Sequence, residues 1–414
     1  MRSNYKKLGQ FIKEVSVKNK DLSVELLLGV SITKQFIPSI ANTVGTDMSK
    51  YKVVEHHQFA YGPVTSRNGE KISVALLGEE KCIVSTSYTV FEIVDTELLD
   101  PEYLMMWFRR SEFDRYARYM SHGTVRELFD WQEMCDVELP VPSIEKQREI
   151  VCEYNVVNDR ISLNDKFNQK LEETAQAIYK QWFVDFEFSV TNDYADYVGS
   201  PQLKGKPYQS SGGELCEGLP LGWRKSNVRD YAKVISGFAF KSAWWTDSGS
   251  PVIKIGSFHN NTVNYETLDY VSPSRVEGKD KFSCKSGDIV IAMTGFTMGK
   301  IGLIPPLFNK YYLNQRVGKF ELGENPNERC AYLYCYLLSR EFKEQMDSIG
   351  GDSRQANVSG DEIEDFEMLI PDEFTLKKFN DLLLPSFNLM MDKVKQNHQL
   401  EMMKDTLLQK VTKA

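Results

Sequence analysis

The sequence predicts an α+β chain: two mixed α/β domains joined by two long helices that pair as a coiled coil, with a pseudo-two-fold internal repeat. Three observations carry that expectation. Residues 70–171 align with residues 299–400 at a constant offset of 229 (332 minus 103, 371 minus 142, 400 minus 171). Two long polar segments, each following a proline, space their apolar residues in an alternating 4-3 pattern. The stretches upstream of them mix short β-rich runs with helical ones.

The repeat sets the domain plan. Glu70-Lys71-Ile72 falls on Gly299-Lys300-Ile301, Tyr103-Leu104 on Tyr332-Leu333, Glu112-Phe113 on Glu341-Phe342, and Pro142 on Pro371. A unit of this length is too long for a solenoid repeat, and two copies are too few for an array. The expected layout is a first domain at 1–142, a helix at 143–187, a linker loop at 188–217, a second domain at 218–371 and a second helix at 372–414. The linker is assigned from its Gly, Ser, Pro, Asn and Asp content. β-rich runs include Tyr88 to Ile93 and Asp288 to Ala292, and helices are expected at 101–120 and 329–347. Upstream the copies drift out of register: Leu8-Gly9 matches Val228-Arg229, an offset of 220 (228 minus 8), so the early loops differ in length.

In the first long segment Ile150, Tyr154, Val157, Ile161, Asn164, Asn168, Leu171, Ala175, Ile178 and Trp182 form an a/d seam. Such a helix would span roughly 65 Å at ~1.5 Å per residue. The second segment has Phe379, Leu383, Met390, Leu400, Leu407 and Val411 at matching phases. Pro385 lies inside it, and a proline there predicts a kink or break near Leu384. Asn164, Asn168 and Asn397 are polar seam residues of the kind that fix register. Neither segment could bury its stripe alone, which favours pairing.

Composition narrows the function classes. The 414 residues are 42% hydrophobic, enough for two cores. No apolar run approaches the ~20 residues of a membrane span, and no secretory signal follows Met1. Seven cysteines without a C-x-x-C fit a reducing cytoplasm and argue against zinc. A net charge of −8 suggests that partners supply part of any nucleic-acid clamp, although a local basic face remains compatible with it.

Catalytic patterns are absent. Gly295-Phe296-Thr297-Met298-Gly299-Lys300-Ile301 imitates a phosphate loop, but it has three residues between the glycines, and Ile stands where a hydroxyl should hold magnesium. There is no H-E-x-x-H, His56-His57 has no companions, and Glu341-Phe342-Lys343 lacks an upstream Pro-Asp. Binding patterns are better. Ser236-Gly237-Phe238-Ala239-Phe240-Lys241-Ser242 and Thr294 to Lys300 combine glycine, aromatics, hydroxyls and a cation. Such loops suit phosphate contact, while Arg, Asn and Gln suit base edges. On residue chemistry the candidates for base reading are Arg67, Asn68, Arg126, Asn314, Gln315, Arg316, Arg354 and Gln355. The candidates for phosphate contact are Lys71, Lys241, Thr297 and Lys300.

Three stretches resemble the specificity subunit of type I restriction–modification enzymes. They are Ala177 to Phe186 with its Trp182-Phe183-Val184-Asp185-Phe186, Gly218-Leu219-Pro220-Leu221-Gly222-Trp223, and Ile235 to Ser242. The resemblance runs through the domain–helix–domain–helix layout. It implies two target recognition domains, each reading one half of a bipartite, asymmetric DNA site. It also implies a helix pair that packs antiparallel, sets the spacer and docks two modification subunits, which bind S-adenosylmethionine and methylate adenine. Restriction subunits are a further partner of some such complexes. The seam residues Ile150, Tyr154, Val157, Ile161, Leu171, Ile178, Trp182, Phe379, Leu383, Met390, Leu400 and Leu407 are the candidates for helix pairing and subunit docking. The implied chain is cytoplasmic, non-catalytic, and free of metal or cofactor of its own. The competing classes are a self-contained DNA modification or cleavage enzyme and a coiled-coil scaffold for proteins.

Overall fold

The computed structural model describes residues 5–39, 45–66, 69, 71–78, 80–121, 127–350 and 357–412. It divides into two compact units, Met1–Arg160 with Leu400–Ala414, and Ile161–Gln399. The helices are α1 (Pro101–Phe108), α2 (Ser111–Met120), α3 (Trp131–Cys135), α4 (Ile144–Tyr179), α5 (Asn192–Tyr197), α6 (Cys330–Leu337), α7 (Arg340–Gly350), α8 (Gly360–Glu364) and α9 (Glu373–Lys410). The expected α+β class holds, and the division between units falls inside both long helices.

In the first unit a four-stranded antiparallel sheet runs in the order Ile12–Val15, Thr89–Ile93, Phe59–Tyr61, Val74–Leu76. Its apolar face packs on α1, which buries every residue except Glu102. The start of α1 is set locally. Asp100 accepts a hydrogen bond from the Tyr103 N–H, and Pro101 occupies the first turn, where its missing N–H costs nothing. Gln147, fully buried, accepts from the Asp100 N–H and donates to the Leu98 and Pro142 carbonyls, which fixes the opening turn of α4 against α1. The Tyr103 hydroxyl sits between the Pro140 and Val411 carbonyls.

The second unit repeats this plan. Helices α6, α7, α8 and α9 begin 229 residues after α1, α2, α3 and α4 (330 minus 101, 340 minus 111, 360 minus 131, 373 minus 144). Its six-stranded sheet runs Lys233–Ser236, Val317–Glu321, Ile289–Ala292, Ile301–Leu303, Thr262–Val263, Phe258–His259. A five-stranded sheet adds Trp245–Thr246, Asp269–Val271, Ser250–Ile253, Tyr311–Leu313 and Ser283–Cys284. The early register drift also has a structural counterpart: the Leu8 N–H donates to the Val137 carbonyl and the Val228 N–H to the Phe366 carbonyl.

The long helices run antiparallel. Within the second unit the Asn164 amide donates to Asn397 Oδ1 at 2.7 Å and Gln396 Oε1 at 3.0 Å, and the Asn168 amide reaches the Met390 carbonyl at 3.3 Å. Partner numbers therefore fall as the α4 numbers rise. Within the first unit Lys410 pairs with Glu153 at 2.5 Å, and the Lys404 ammonium lies over the Tyr154 ring. Ile150, Tyr154, Val157 and Leu407 are buried in the first unit, where Leu400 is half-buried. Trp182, Phe379, Leu383 and Met390 are buried in the second, where Ile161, Leu171 and Ile178 are half-buried.

Two expectations need correction. α9 continues without interruption through Pro385. The cost of a helical proline is of order 3 kcal/mol, and it is outweighed by the buried stripe of Phe379, Leu383, Phe387 and Met390 around it. Nor is 188–217 a loop along its length. It contains α5, capped by the Thr191 side chain, and it buries Phe188, Val190, Tyr194, Leu203 and Tyr208. Phe188 stacks on Tyr208 at 4.8 Å and on Trp223 at 4.9 Å between ring centres. The polar, glycine-rich composition suggested a linker, but its few aromatics are enough to seat it in the core of the second unit.

Candidate nucleic-acid interface

Strand register gathers three loops of the second unit at one end of its six-stranded sheet. Ser236 pairs with Gly318, Ala292 with Val317, and Ile291 with Ile301. The segments 237–241, 293–300 and 314–316 therefore leave neighbouring strands from the same end. The first loop docks tightly. The Gly237 N–H donates to the Val317 carbonyl and the Phe238 N–H to the Leu313 carbonyl. A Cβ at Gly237 would lie 2.3 Å from the carbonyl oxygens of both Leu313 and Asn314, so only glycine permits this approach. The Arg316 carbonyl accepts from the Met293 N–H, and the Arg316 guanidinium donates to Asn357 Oδ1 at 2.9 Å.

Lys241, Lys300, Gln315 and Arg316 are exposed on that end, and Thr297 and Asn314 are half-buried. Six sequence candidates thus share one surface. The 295–301 stretch is the turn of a hairpin, with a single 3-10 turn at Gly295–Thr297, and not the strand–loop–helix that cradles nucleotide phosphates. Thr297 Oγ1 donates to the Thr294 carbonyl, which steadies the turn.

Beside this end lies a cation–aromatic cluster that sequence reasoning missed. The Lys241 ammonium and the Arg275 guanidinium both lie over Trp244, at 5.5 and 4.8 Å from the ring centre. Lys279 lies over Phe238 at 5.1 Å and Lys254 over Trp245 at 3.5 Å, the latter also paired with Asp269. Phe238 and Trp244 are stacked, with planes 5° apart. The contributing residues are scattered from 238 to 279 and follow no fixed spacing, so only the Phe238-to-Lys241 part of the cluster carried a sequence signal.

In the first unit Lys71 is exposed next to Ile72, whose backbone is clamped from both sides. Asp114 on α2 accepts from the Ile72 N–H at 3.1 Å, and the Lys34 ammonium donates to the Ile72 carbonyl and to Asp114, each at 2.6 Å. This ion pair is almost fully enclosed, with side chains 7% and 10% exposed. Burial pushes the Lys34 ammonium below the ordinary lysine value, against the opposing pull of the Asp114 charge. Asp114 aligns with Lys343 in the second copy, so the repeat gave no hint of the pair (343 minus 114 is 229). Thr65 is tied to the Glu127 carbonyl through its N–H and its hydroxyl. Arg67, Asn68, Arg126, Arg354 and Gln355 lie outside the described residues.

Among the described residues no group of three or more His, Cys, Asp or Glu side chains could hold a metal ion. No helix among them is long and apolar enough to cross a membrane.

The family described as type I restriction modification DNA specificity domain matches residues 220–378. The chain is 24% identical to a type I restriction enzyme specificity subunit, MjaIX, of Methanocaldococcus jannaschii, over 79% of this chain and 72% of the relative. It is 21% identical to the HindI specificity subunit of Haemophilus influenzae, over 86% of each chain. The crystal structure of a type I restriction–modification S subunit from M. genitalium superposes with a TM-score of 0.49 at 16% identity, covering 99% of this chain and 95% of that one.

Proposed function

We propose that this chain is a specificity subunit of the type I restriction–modification family, the subunit that chooses the DNA sequence for a modification complex; the match of residues 220–378 to the DNA specificity domain and the similarity to two specificity subunits support this reading. Each unit reads one half of a bipartite site through the loops at its sheet end. The antiparallel helices set the separation of the halves and dock two modification subunits. Those partners bind S-adenosylmethionine and carry out adenine methylation; this chain is not itself an enzyme. Restriction subunits join where the system also cleaves.

The single observation that carries this reading is the convergence of Lys241, Thr297, Lys300, Asn314, Gln315 and Arg316 on one end of the second unit's sheet. Cations, hydroxyls and amides on one surface are the donor set for phosphates and base edges. In the first unit Lys71, the counterpart of Lys300 in the repeat, is the exposed cation at the equivalent place. Most seam residues are buried within the chain, so docking of another subunit falls to the outward faces of α4 and α9. Val156, Leu163 and Phe167 on α4 and Leu382, Met402 and Met403 on α9 are exposed apolar residues available for it.

The test is co-expression with the modification subunit, followed by genome-wide mapping of methylated adenines. A two-part motif with a fixed gap is expected. Methylation without sequence preference, or unchanged by omitting this chain, would overturn the reading.

A further inference from the structure

Among the described residues each unit carries one large aromatic side chain that is almost entirely solvent-exposed: Phe296 stands among the candidate DNA contacts, and Tyr119 lies on the helix that Asp114 ties to Ile72, beside Lys71. Phe296 is 84% exposed at the tip of the hairpin turn that also holds Thr297 and Lys300. Tyr119 is 82% exposed near the end of α2. The two do not align in the repeat, since position 348 opposite Tyr119 is Ser. Their surroundings nevertheless agree. Gly299 of the hairpin lies against Met346 of α7, so the last turns of α7 run beside the hairpin tip. In the first unit α2, the counterpart of α7, is pinned by Asp114 to Ile72, next to Lys71. Arg115 shares a helix face with Tyr119 at a spacing of four.

Neither ring joins a buried cluster among the described residues. Phe296 is held out by a turn that starts at Gly295 with φ of +67°, and an apolar residue so exposed contributes little to the fold. An isolated exposed aromatic set among cations and hydroxyls matches the chemistry of an apolar wedge, which inserts at a base step while its polar neighbours hold the phosphates.

We propose that Phe296 and Tyr119 are the base-stack wedges of the two half-sites, one per unit, each entering a base step of duplex DNA beside the polar contacts. This rests on the reading of the sheet-end loops as DNA contacts. Insertion makes sequence-dependent stacking part of recognition, so the wedge contributes to specificity at a step where no hydrogen bond is made.

The experiment uses the full chain in complex with its modification subunit, once methylation mapping has supplied the cognate site. Affinity is measured for the cognate duplex and for a scrambled duplex of equal length, with Phe296→Ala, Phe296→Trp, Tyr119→Ala and Lys300→Ala. Duplexes carrying 2-aminopurine at successive positions report unstacking. The expected result is a loss of about tenfold or more in cognate affinity for Phe296→Ala and Tyr119→Ala. Scrambled affinity should stay within about twofold, Phe296→Trp should retain the cognate preference, and in each half-site one step away from the methylated adenine should brighten with the wild-type complex and stay dark with the matching alanine variant. If the alanine variants keep the cognate-to-scrambled ratio, or no position other than the methylated adenines brightens with the wild-type complex, the wedge is wrong. Lys300→Ala separates the two levels. A reduced salt slope for that variant alongside silent Phe296→Ala and Tyr119→Ala leaves the DNA interface standing without its wedges. Salt-independent binding by the wild-type complex removes both.

Discussion

Gly237 shows how a single residue type can be dictated by backbone proximity. Two carbonyl oxygens stand where its Cβ would be, and both belong to the turn that presents Asn314 and Arg316. Gly237→Ala should therefore cost about 1–3 kcal/mol of stability from overpacking, read as a shift in the urea midpoint, and should lower DNA affinity by displacing Lys241. Asp288 gives a pH-linked prediction. Its carboxyl accepts the Lys285 N–H in a tight turn, yet burial raises it above the ordinary aspartate value of 3.8. The folded state thus binds this proton more tightly than the unfolded chain, so the contribution to stability falls as pH rises from 3.8 towards the folded value. Asp288→Asn keeps the acceptor and removes the charge. It should raise the unfolding midpoint at pH 7 and leave it unchanged at pH 3, a comparison that thermal melts at the two pH values decide. At this scale the sequence was only partly legible. Residue types on single loops, such as Lys241 and Lys300, could be read directly. Lys34 and Asp114, eighty positions apart and unrelated by the repeat, could not, because nothing local marks a lysine that folding will bury.

At the scale of elements the repeat supplied most of what was readable. The shared offset made the helical stretches 101–120 and 329–347 evident as a pair, which the structure resolves into α1–α2 and α6–α7; α3 and α8 were not foreseen, although Asp100, Asp130 and Ser359 cap their helices as short polar residues should. The failures arose where local propensity and tertiary packing disagree. Pro385 is exposed on α9, so the helix keeps its buried stripe and tolerates the proline. Pro385→Ala should accordingly stabilise the chain, by about 1–3 kcal/mol in denaturant unfolding, with no change in target site. The 188–217 segment was misread for the opposite reason: its composition is that of a loop, but Phe188, Tyr194 and Tyr208 pack on one another and Phe188 stacks on Trp223, which seats the segment. The helix seam offers the converse test. Asn164 is 2% exposed and satisfies Asn397 and Gln396 together. Asn164→Ala leaves those oxygens without their donor and should cost about 1–3 kcal/mol. Asn164→Leu should be less costly to stability but loosen the register, visible as methylation at more than one spacer length.

For the molecule as a whole the decisive quantity is the distribution of charge. A chain with net charge −8 still presents Lys241, Lys300, Arg275, Lys279 and Arg316 around one sheet end, so long-range repulsion and short-range attraction act on DNA together. Repulsion weakens the encounter at low salt, and counterion release rewards the docked complex, so the two are separable by titrating salt. Lys300→Ala and Arg275→Ala should each lower the magnitude of the slope of log K against log salt by about 1, with affinity falling for every sequence alike. Arg316 is different, because its guanidinium is oriented by Asn357 and can read a base edge. Arg316→Ala should relax methylation at positions in one half-site by about 1–3 kcal/mol of discrimination and leave the other half unaffected. Arg67→Ala and Arg354→Ala, whose positions follow from sequence alone, should relax different halves for the same reason. Deep sequencing of methylated sites from the three variants decides the matter: Arg354→Ala and Arg316→Ala should change the same half of the motif and Arg67→Ala the other, and a pattern in which all three alter both halves equally would mean that the two units do not read DNA independently.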